Sequence, residues 1–241
     1  MLLKTRGIVF HQFKYGENDK IVRIYTEERG LLSFILRGAR SKKSAVPLSL
    51  FQNLSLLDLV ITVREKTDLH YIKEATQAFP YQNIPRDIRK STIILFLNEI
   101  LFKTIREEET NRELFRYIFD SMSFFDQQDE GFVNFHLFFL VHLTKFTGFF
   151  PNTDIAVRPA YFDLEEGRFT PLLPLHPYYL EFPESDHLFK LLQSDISTYH
   201  KTAISKAMRS ILLEKLLIYY KLHLPSMQDV KSLTVLQSVM E

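Results

Sequence analysis

Cysteine and tryptophan are both absent from this chain of 241 residues. Without cysteine there can be no disulfide, no thiol nucleophile and no cysteine-ligated zinc or iron–sulfur site. The absence also favours a reducing compartment. Glycine occurs only seven times and never as Gly-x-Gly, so neither a dinucleotide-binding fingerprint nor a phosphate-binding P-loop is present. ATP turnover by this chain is therefore not expected.

Catalytic motifs are missing as well. The sequence contains neither the Gly-x-Ser-x-Gly of a hydrolase nucleophile nor the His-Glu-x-x-His of a zinc protease. His136 and His142 are six positions apart, which places them about 120° apart around a helix and makes shared metal ligation awkward. The acids Asp126, Asp129 and Glu130 lack nuclease spacing and are interpreted as a solvated linker. We expect a protein that is not an enzyme and that uses no cofactor.

No hydrophobic run is long enough to cross a membrane. The most apolar stretch, residues 132–150, contains four polar interruptions, whereas a transmembrane helix needs roughly 20 residues with few of them. We interpret it as a buried helix. The first six residues carry two charges where a signal peptide would need an apolar core. A cytoplasmic protein without membrane contact is predicted.

The net positive charge is small overall but is concentrated near the N-terminus. The net charge of the chain is +1, yet residues 1–80 contain 13 Lys and Arg against 8 Asp and Glu, a net charge of +5. Clustered cations usually meet an anion outside the fold. The sharpest cluster follows an apolar run, has no acid, and consists of Arg37, Arg40, Lys42 and Lys43. With Lys14, Lys20 and Arg23 in or next to a neighbouring strand, these residues predict a nucleic-acid backbone as ligand. A loop that serves only solubility is the alternative.

Alternating apolar residues predict five short strands in the first 80 residues. Gly30 follows Glu27-Glu28-Arg29 at a hairpin position that favours positive φ. The strands are predicted at Leu2–Phe13, Lys20–Thr26, Leu31–Arg37, Leu57–Val63 and Leu69–Phe79. Such a set suggests a small closed barrel, most commonly an OB-fold, although periodicity alone does not exclude an SH3-like barrel.

After Pro80 the apolar period becomes helical. Helices are predicted at Pro85–Glu107, Asn111–Phe125, Gly131–Phe146, Ser185–Ser194, Ala203–His223 and Asp229–Met240. The loop-rich region 152–183 is predicted to hold one hairpin, formed by Ala160–Leu164 and Arg168–Thr170. The fold class is therefore α+β, with an N-terminal barrel domain at 1–80 and a helical domain at 81–241.

Five N-terminal aromatic residues could belong either to the core or to a binding surface, because aromatic side chains on a barrel face can stack on bases. They are Phe10, Phe13, Tyr25, Phe34 and Tyr71. Large aromatic side chains are more often buried than exposed, so we interpret this set mainly as core.

Three short motifs occur in order along the chain. The first is Tyr15-Gly16-Glu17-Asn18-Asp19-Lys20, followed by Tyr25-Thr26-Glu27-Glu28-Arg29-Gly30 and Arg37-Gly38-Ala39-Arg40. The second is Thr147-Gly148-Phe149-Phe150-Pro151, and the third combines Leu216–Leu224 with Lys231–Leu236. On a barrel-plus-helices pattern, the three together resemble the family of the bacterial recombination mediator RecO.

The resemblance implies an N-terminal OB-fold, a C-terminal helical domain and activity without ATP. It implies binding to single- and double-stranded DNA, annealing of complementary strands, and help in loading RecA onto DNA coated by single-strand binding protein. The implied partners are RecR and the acidic C-terminal tail of the single-strand binding protein. Arg37, Arg40, Lys42 and Lys43 would form the DNA-contacting loop.

Many family members carry a four-cysteine zinc site after the Gly-aromatic-x-Pro turn, and this chain departs from that pattern. It has no cysteine there, so no structural metal is expected, and its hairpin in 152–183 would keep the shape by packing. An alternative function is a protein–protein adaptor with only incidental DNA contact, which the acidic, apolar helical half favours. A nuclease is a third, weaker hypothesis.

Overall fold

Five strands occupy the first third of the chain. The computed structural model describes residues 2–37, 46–64, 67–105, 109–153, 160–227 and 229–240. The strands are β1 (Leu2–Tyr15), β2 (Asp19–Thr26), β3 (Gly30–Leu36), β4 (Leu56–Thr62) and β5 (Leu69–Phe79). Every predicted strand is present, and its ends lie within two residues of the predicted ones.

The order of the strands decides between the two barrel types. They close into a barrel in the order β1-β2-β3-β5-β4, in which β4 pairs back with β1 and β3 runs parallel to β5. This is the connectivity of an OB-fold. The predicted OB-fold is thereby confirmed, and the SH3-like alternative is excluded.

The alternation of buried and exposed side chains along the strands defines the barrel core, as the sequence predicted. On β4 the side chains of Leu57, Leu59 and Ile61 are buried, whereas Asp58 between them is exposed. The opposite strands supply apolar residues to the same interior. The buried core cluster consists of Val9, Val22, Ile24, Phe34, Leu36, Val46, Phe51, Leu57, Leu59 and Ile61.

Two glycines are required by this packing. A Cβ atom on Gly7 would lie 2.6 Å from Leu59 Cδ1 and 2.7 Å from Ile24 Cγ2, so a larger residue would displace these two buried side chains. Gly30 ends the β2–β3 turn with φ at +64°, in the left-handed region that glycine adopts at least cost. The positive φ predicted for Gly30 is confirmed.

The chain divides into two compact units, Met1–Asp126 and Gln127–Glu241. Besides the barrel, the first unit contains two helices, α1 (Ile88–Thr104) and α2 (Arg112–Gln127). Asp87 caps α1 by accepting a hydrogen bond from the backbone N–H of Arg89 at 2.8 Å. The barrel ends at Phe79, while the first unit extends through most of α2; the domain division at residue 80 stays a prediction.

A buried carboxylate fixes the segment that joins the barrel to α1. Asp126 is 1% exposed and accepts hydrogen bonds from the backbone N–H groups of Gln82, Asn83 and Ile84, at 2.8 to 2.9 Å. The Lys90 ammonium donates to the Asp126 carbonyl oxygen at 3.0 Å. The linker predicted at Asp126 is therefore, at this residue, a structural anchor rather than a solvated acid.

The second unit contains four helices and a small sheet within its described residues. The helices are α3 (Phe135–Thr147), α4 (Glu184–Gln193), α5 (Lys206–His223) and α6 (Ser232–Met240). The sheet strands are β6 (Tyr161–Asp163), β7 (Arg168–Thr170) and β8 (Tyr179–Leu180), in the order β7-β6-β8. The predicted hairpin is present, and β8 is a third strand that the sequence did not indicate. No described helix is long and apolar enough to span a bilayer.

Candidate nucleic-acid interface

Arg37 follows β3 directly and is exposed. Its Nη2 donates a hydrogen bond to the Tyr71 hydroxyl at 3.1 Å. Its guanidinium carbon also lies 5.5 Å from the centroid of the Tyr71 ring, within cation–π range. The predicted DNA-contacting residue Arg37 is therefore held on the barrel surface by a tyrosine of β5.

A second arginine contacts the same ring. Arg64 lies two residues beyond β4, is exposed, and places its guanidinium carbon 4.6 Å from the Tyr71 centroid. Strand pairing explains why both arginines contact Tyr71. Tyr71 is opposite Thr62 on β4, close to Arg64, while the start of β5 runs beside β3, close to Arg37. We call Arg37, Arg64 and Tyr71 the arginine–tyrosine cluster.

The electrostatics of this cluster favour an anion. Within the described residues, neither Arg37 nor Arg64 forms an ion pair with a carboxylate, so the two positive charges remain uncompensated by an acid there. The negative face of the Tyr71 ring offsets only part of their repulsion. Guanidinium groups bind phosphate through planar, paired hydrogen bonds. A phosphodiester between the arginines would relieve the repulsion that the fold leaves.

Two predicted lysines lie next to this cluster in the hydrogen-bond register. Lys14 on β1 is paired directly with Lys20 on β2, and Lys20 is paired with Leu36, the residue before Arg37. Lys14 is exposed, and the Lys20 ammonium donates to Gln12 Oε1 at 3.0 Å. Like charges opposite each other destabilise a strand pair. The register places this pair near the end of β3 that precedes Arg37, on the same face of the strands as Leu36; a surface shared with the arginine–tyrosine cluster stays a prediction.

Arg23 is placed differently from the other predicted cations. It is half-buried on the barrel exterior, where its guanidinium carbon lies 5.5 Å from the ring centroid of Phe102 on α1. Its neighbour across the strands is His11, whose pKa is lowered by burial and by the Arg23 charge. Arg23 thus packs against a helix, and its contact with DNA stays a prediction.

The remaining predicted cations fall outside the described residues. Arg40, Lys42 and Lys43 belong to residues 38–45, and the cluster borders that segment at Arg37. Across the residues that the structure describes, no three His, Asp or Glu side chains are grouped so that they could hold a metal ion.

The aromatic residues divide between core and surface. Phe10, Tyr25 and Phe34 are at most 1% exposed, which confirms their assignment to the core. Phe13 is 41% exposed, and Tyr71 is partly exposed. The sequence did not indicate the contact of Tyr71 with two arginines, and Arg64 was not among the predicted cations. The available signal was the cation close behind an apolar strand, since Arg64 follows its strand much as Arg37 does.

Comparison with known proteins identifies the family. The family model described as "Recombination protein O N terminal" matches residues 1–81, and the model "Recombination protein O C terminal" matches residues 85–160. The protein named "DNA repair protein RecO" of Bacteroides fragilis is 40% identical over 242 residues, covering all of both chains. Those of Phocaeicola vulgatus and Christiangramia forsetii are 38% and 36% identical over 239 and 240 residues, each covering 99% of both chains. Together with the barrel order and the helical second half, these matches show that the chain belongs to the RecO family of DNA repair proteins.

Proposed function

We propose that this chain binds single- and double-stranded DNA, anneals complementary strands without ATP, and assists the loading of RecA onto DNA coated by single-strand binding protein. The observation that carries the proposal is the arginine–tyrosine cluster, in which two arginines without a described acid partner share one aromatic ring. The cluster lies on an OB-fold, a barrel that commonly binds oligonucleotides. Membership of a DNA repair family supports the same assignment.

Binding would be mainly electrostatic. The two guanidinium groups and the Lys14–Lys20 pair would neutralise phosphates and release counterions, so affinity would fall steeply with salt. Tyr71 would hold the two arginines in place. These contacts would be with the sugar–phosphate backbone of the DNA and not with base edges, so little sequence preference is expected.

Annealing would follow from the same charges. Two complementary strands repel each other through their phosphates, and cations held on one surface lower that repulsion while the bases pair. No bond is made or broken by the protein, which fits a role without a catalysed covalent step. The chain would act as a mediator rather than as an enzyme.

The experiment is annealing of two complementary oligonucleotides in the absence of ATP, followed by fluorescence energy transfer. The variant R37E/R64E is expected to anneal at least about tenfold more slowly, since two attractive contacts become repulsive. The matched control R86E/R116E makes the same charge change at two exposed arginines elsewhere in the first unit and is expected to anneal nearly as fast as the unmodified chain. Equal rates for the two variants, or an unimpaired R37E/R64E, would contradict the assignment.

The partners proposed with this function are RecR and the acidic tail of the single-strand binding protein, with RecA acting downstream. A pull-down from nuclease-treated lysate, probed for both proteins, tests them without DNA as a bridge. Recovery of neither protein would count against the mediator role.

A different observation favours the adaptor alternative. Three leucines of the second unit, Leu172, Leu173 and Leu175, are each more than half exposed, and such patches mark protein contacts. If partner proteins are recovered while ATP-independent annealing is negligible, the adaptor role replaces the mediator role.

A further inference from the structure

Two aromatic side chains near the end of β1 are exposed. Phe13 is 41% exposed and Tyr15 is 48% exposed, although large aromatic side chains are more often buried. We call these two residues the aromatic pair. Because alternate residues of a strand lie on the same face of the sheet, both rings lie on one face of β1.

The aromatic pair continues a row of rings that begins at α1. The His11 ring centroid lies 4.7 Å from that of Phe102 on α1 and 5.9 Å from that of Phe13, with the His11 and Phe13 planes 29° apart. His11, Phe13 and Tyr15 alternate along β1, so this row lies on the outer face of the barrel, where α1 packs. Among the described residues, Phe13 contacts no aromatic ring besides His11, and Tyr15 contacts none. The row therefore ends in open ring surface.

The strand register places the aromatic pair on the same face as Arg37. Tyr15 is paired with Asp19 on β2. Lys20 is paired with Leu36 on β3, so the same antiparallel register places Asp19 opposite Arg37. Two strand spacings, about 10 Å, therefore separate Tyr15 from Arg37. An OB-fold contacts several nucleotides of a single strand, so one bound strand can span both sites.

The combination of open rings and guanidinium groups favours single-stranded DNA as the occupant of this face. Such a strand offers phosphates to Arg37 and Arg64 and flat, unpaired bases to the aromatic pair. In a duplex the neighbouring base pairs cover the faces of each base, so a base must first leave the stack. An apolar protein surface would leave the guanidinium groups without an anion. Asp19 repels phosphate, so we expect the DNA backbone on the arginine side and the bases over the rings.

We propose that the aromatic pair stacks on the unpaired bases of single-stranded DNA, so that this face of the barrel binds single strands more tightly than duplex. Every base has a flat face, so the preference concerns strandedness and not sequence. The inference rests on the proposed DNA binding and names the form of DNA that the site selects.

Fluorescence anisotropy with labelled poly-dT and with a labelled duplex of the same length tests the proposal. F13A/Y15A changes two exposed side chains, and circular dichroism checks its fold. It should lose at least about tenfold in affinity for poly-dT and at most about twofold for the duplex. Because it alters no charge, the dependence of its affinity on salt should be unchanged. The matched control F150A/Y178A removes the same two residue types at exposed positions of the second unit and should bind both DNAs like the unmodified chain.

The outcomes separate this proposal from the proposed function. If R37E/R64E binds DNA weakly while F13A/Y15A binds poly-dT normally, the aromatic pair does not stack on bases, although the electrostatic site stands. An equal loss of affinity for poly-dT and duplex would also overturn the proposal, because stacking acts only on unpaired bases. If the unmodified chain binds neither DNA, both proposals fail.

Fluorescence provides a direct measurement of stacking, because the chain contains no tryptophan. F13W and Y15W each introduce a single indole at the aromatic pair, and a base stacked on it quenches its emission. Saturating poly-dT should lower the emission of both variants, whereas saturating duplex should change it little. Y178W places the indole at an exposed tyrosine of the second unit and should respond to neither DNA. Emission of F13W and Y15W that stays constant while poly-dT binds would overturn the proposal.

Discussion

Replacing Tyr71 with alanine removes the ring that contacts both guanidinium groups of the arginine–tyrosine cluster. Replacing it with phenylalanine removes only the hydroxyl that accepts a hydrogen bond from Arg37. Neither substitution changes the number of positive charges. The pair of variants therefore separates the positioning of the arginines from their charge.

The expected magnitudes follow from the contacts. A cation–π contact at an exposed site stabilises by about 0.5–1 kcal/mol, and Tyr71 makes two, at 5.5 and 4.6 Å. Because these contacts hold the arginines in place before DNA binds, losing them in Y71A should weaken binding of single-stranded DNA by at most about 1–2 kcal/mol, roughly 5- to 30-fold. The exposed hydrogen bond contributes about 0.5 kcal/mol, so Y71F should lose at most about threefold.

Fluorescence anisotropy of a labelled poly-dT oligonucleotide at fixed salt measures these changes. Y178A is a suitable control because Tyr178 is an exposed tyrosine of the second unit; it should bind DNA like the unmodified chain. The reasoning is refuted if Y71A binds DNA with unchanged affinity. It is also refuted if Y71F loses as much as Y71A, since the hydroxyl rather than the ring would then be the important group.

Three further predictions concern other parts of the chain. D126A should lower the free energy of unfolding by about 3 kcal/mol or more in urea denaturation, because it leaves three backbone N–H groups without their acceptor, whereas D129A, at an exposed acid, should change it little. Burial and the nearby Arg209 charge lower the pKa of His136 to about 3, so below about pH 6.5 the unfolded chain gains a proton that the folded chain does not. The free energy of unfolding should therefore fall as the pH is lowered from about 6.5 to about 3, and fall less in H136Q; equal pH dependence would contradict this. R23A should reduce DNA affinity less than R37A, because Arg23 packs against α1; an equal loss in an anisotropy titration would show that it contacts DNA.

Local patterns were sufficient to predict most of the fold. The alternation of Leu57, Leu59 and Ile61 with polar or smaller residues defines β4, and Gly30 marks the turn before β3. These signals are local, since a strand period or a left-handed turn depends on a few consecutive residues. The helices follow the 3.6-residue period in the same way, but their predicted ends differ from the observed ones by up to four residues, as at the start of α3. At α5 the cause is Ser205, which caps the helix and so fixes its start at Lys206.

The candidate site was only partly predictable, because it depends on pairing around the barrel. Arg37 was predicted as part of an acid-free cluster of cations at the end of a strand, whereas Arg64 and Tyr71 join it through the β3–β5 and β4–β5 pairings. No sequence period reports which strands become neighbours. A sequence period also does not show which helix packs against the barrel. Arg23 is therefore half-buried, against the prediction of an exposed cation, because its outward-facing side chain contacts Phe102 on a helix about 80 positions later. Strand β8 was missed because two residues are too few to show a period.

The dependence of DNA affinity on salt tests the central claim most directly, namely that Arg37 and Arg64 neutralise phosphates. For the unmodified chain and for R37A/R64A, the logarithm of the association constant for single-stranded DNA is plotted against the logarithm of salt concentration. Each phosphate contact contributes a slope of about −0.7, so the double variant should show a slope less steep by about 1.4. An unchanged slope would contradict the claim, even if the affinity itself had fallen.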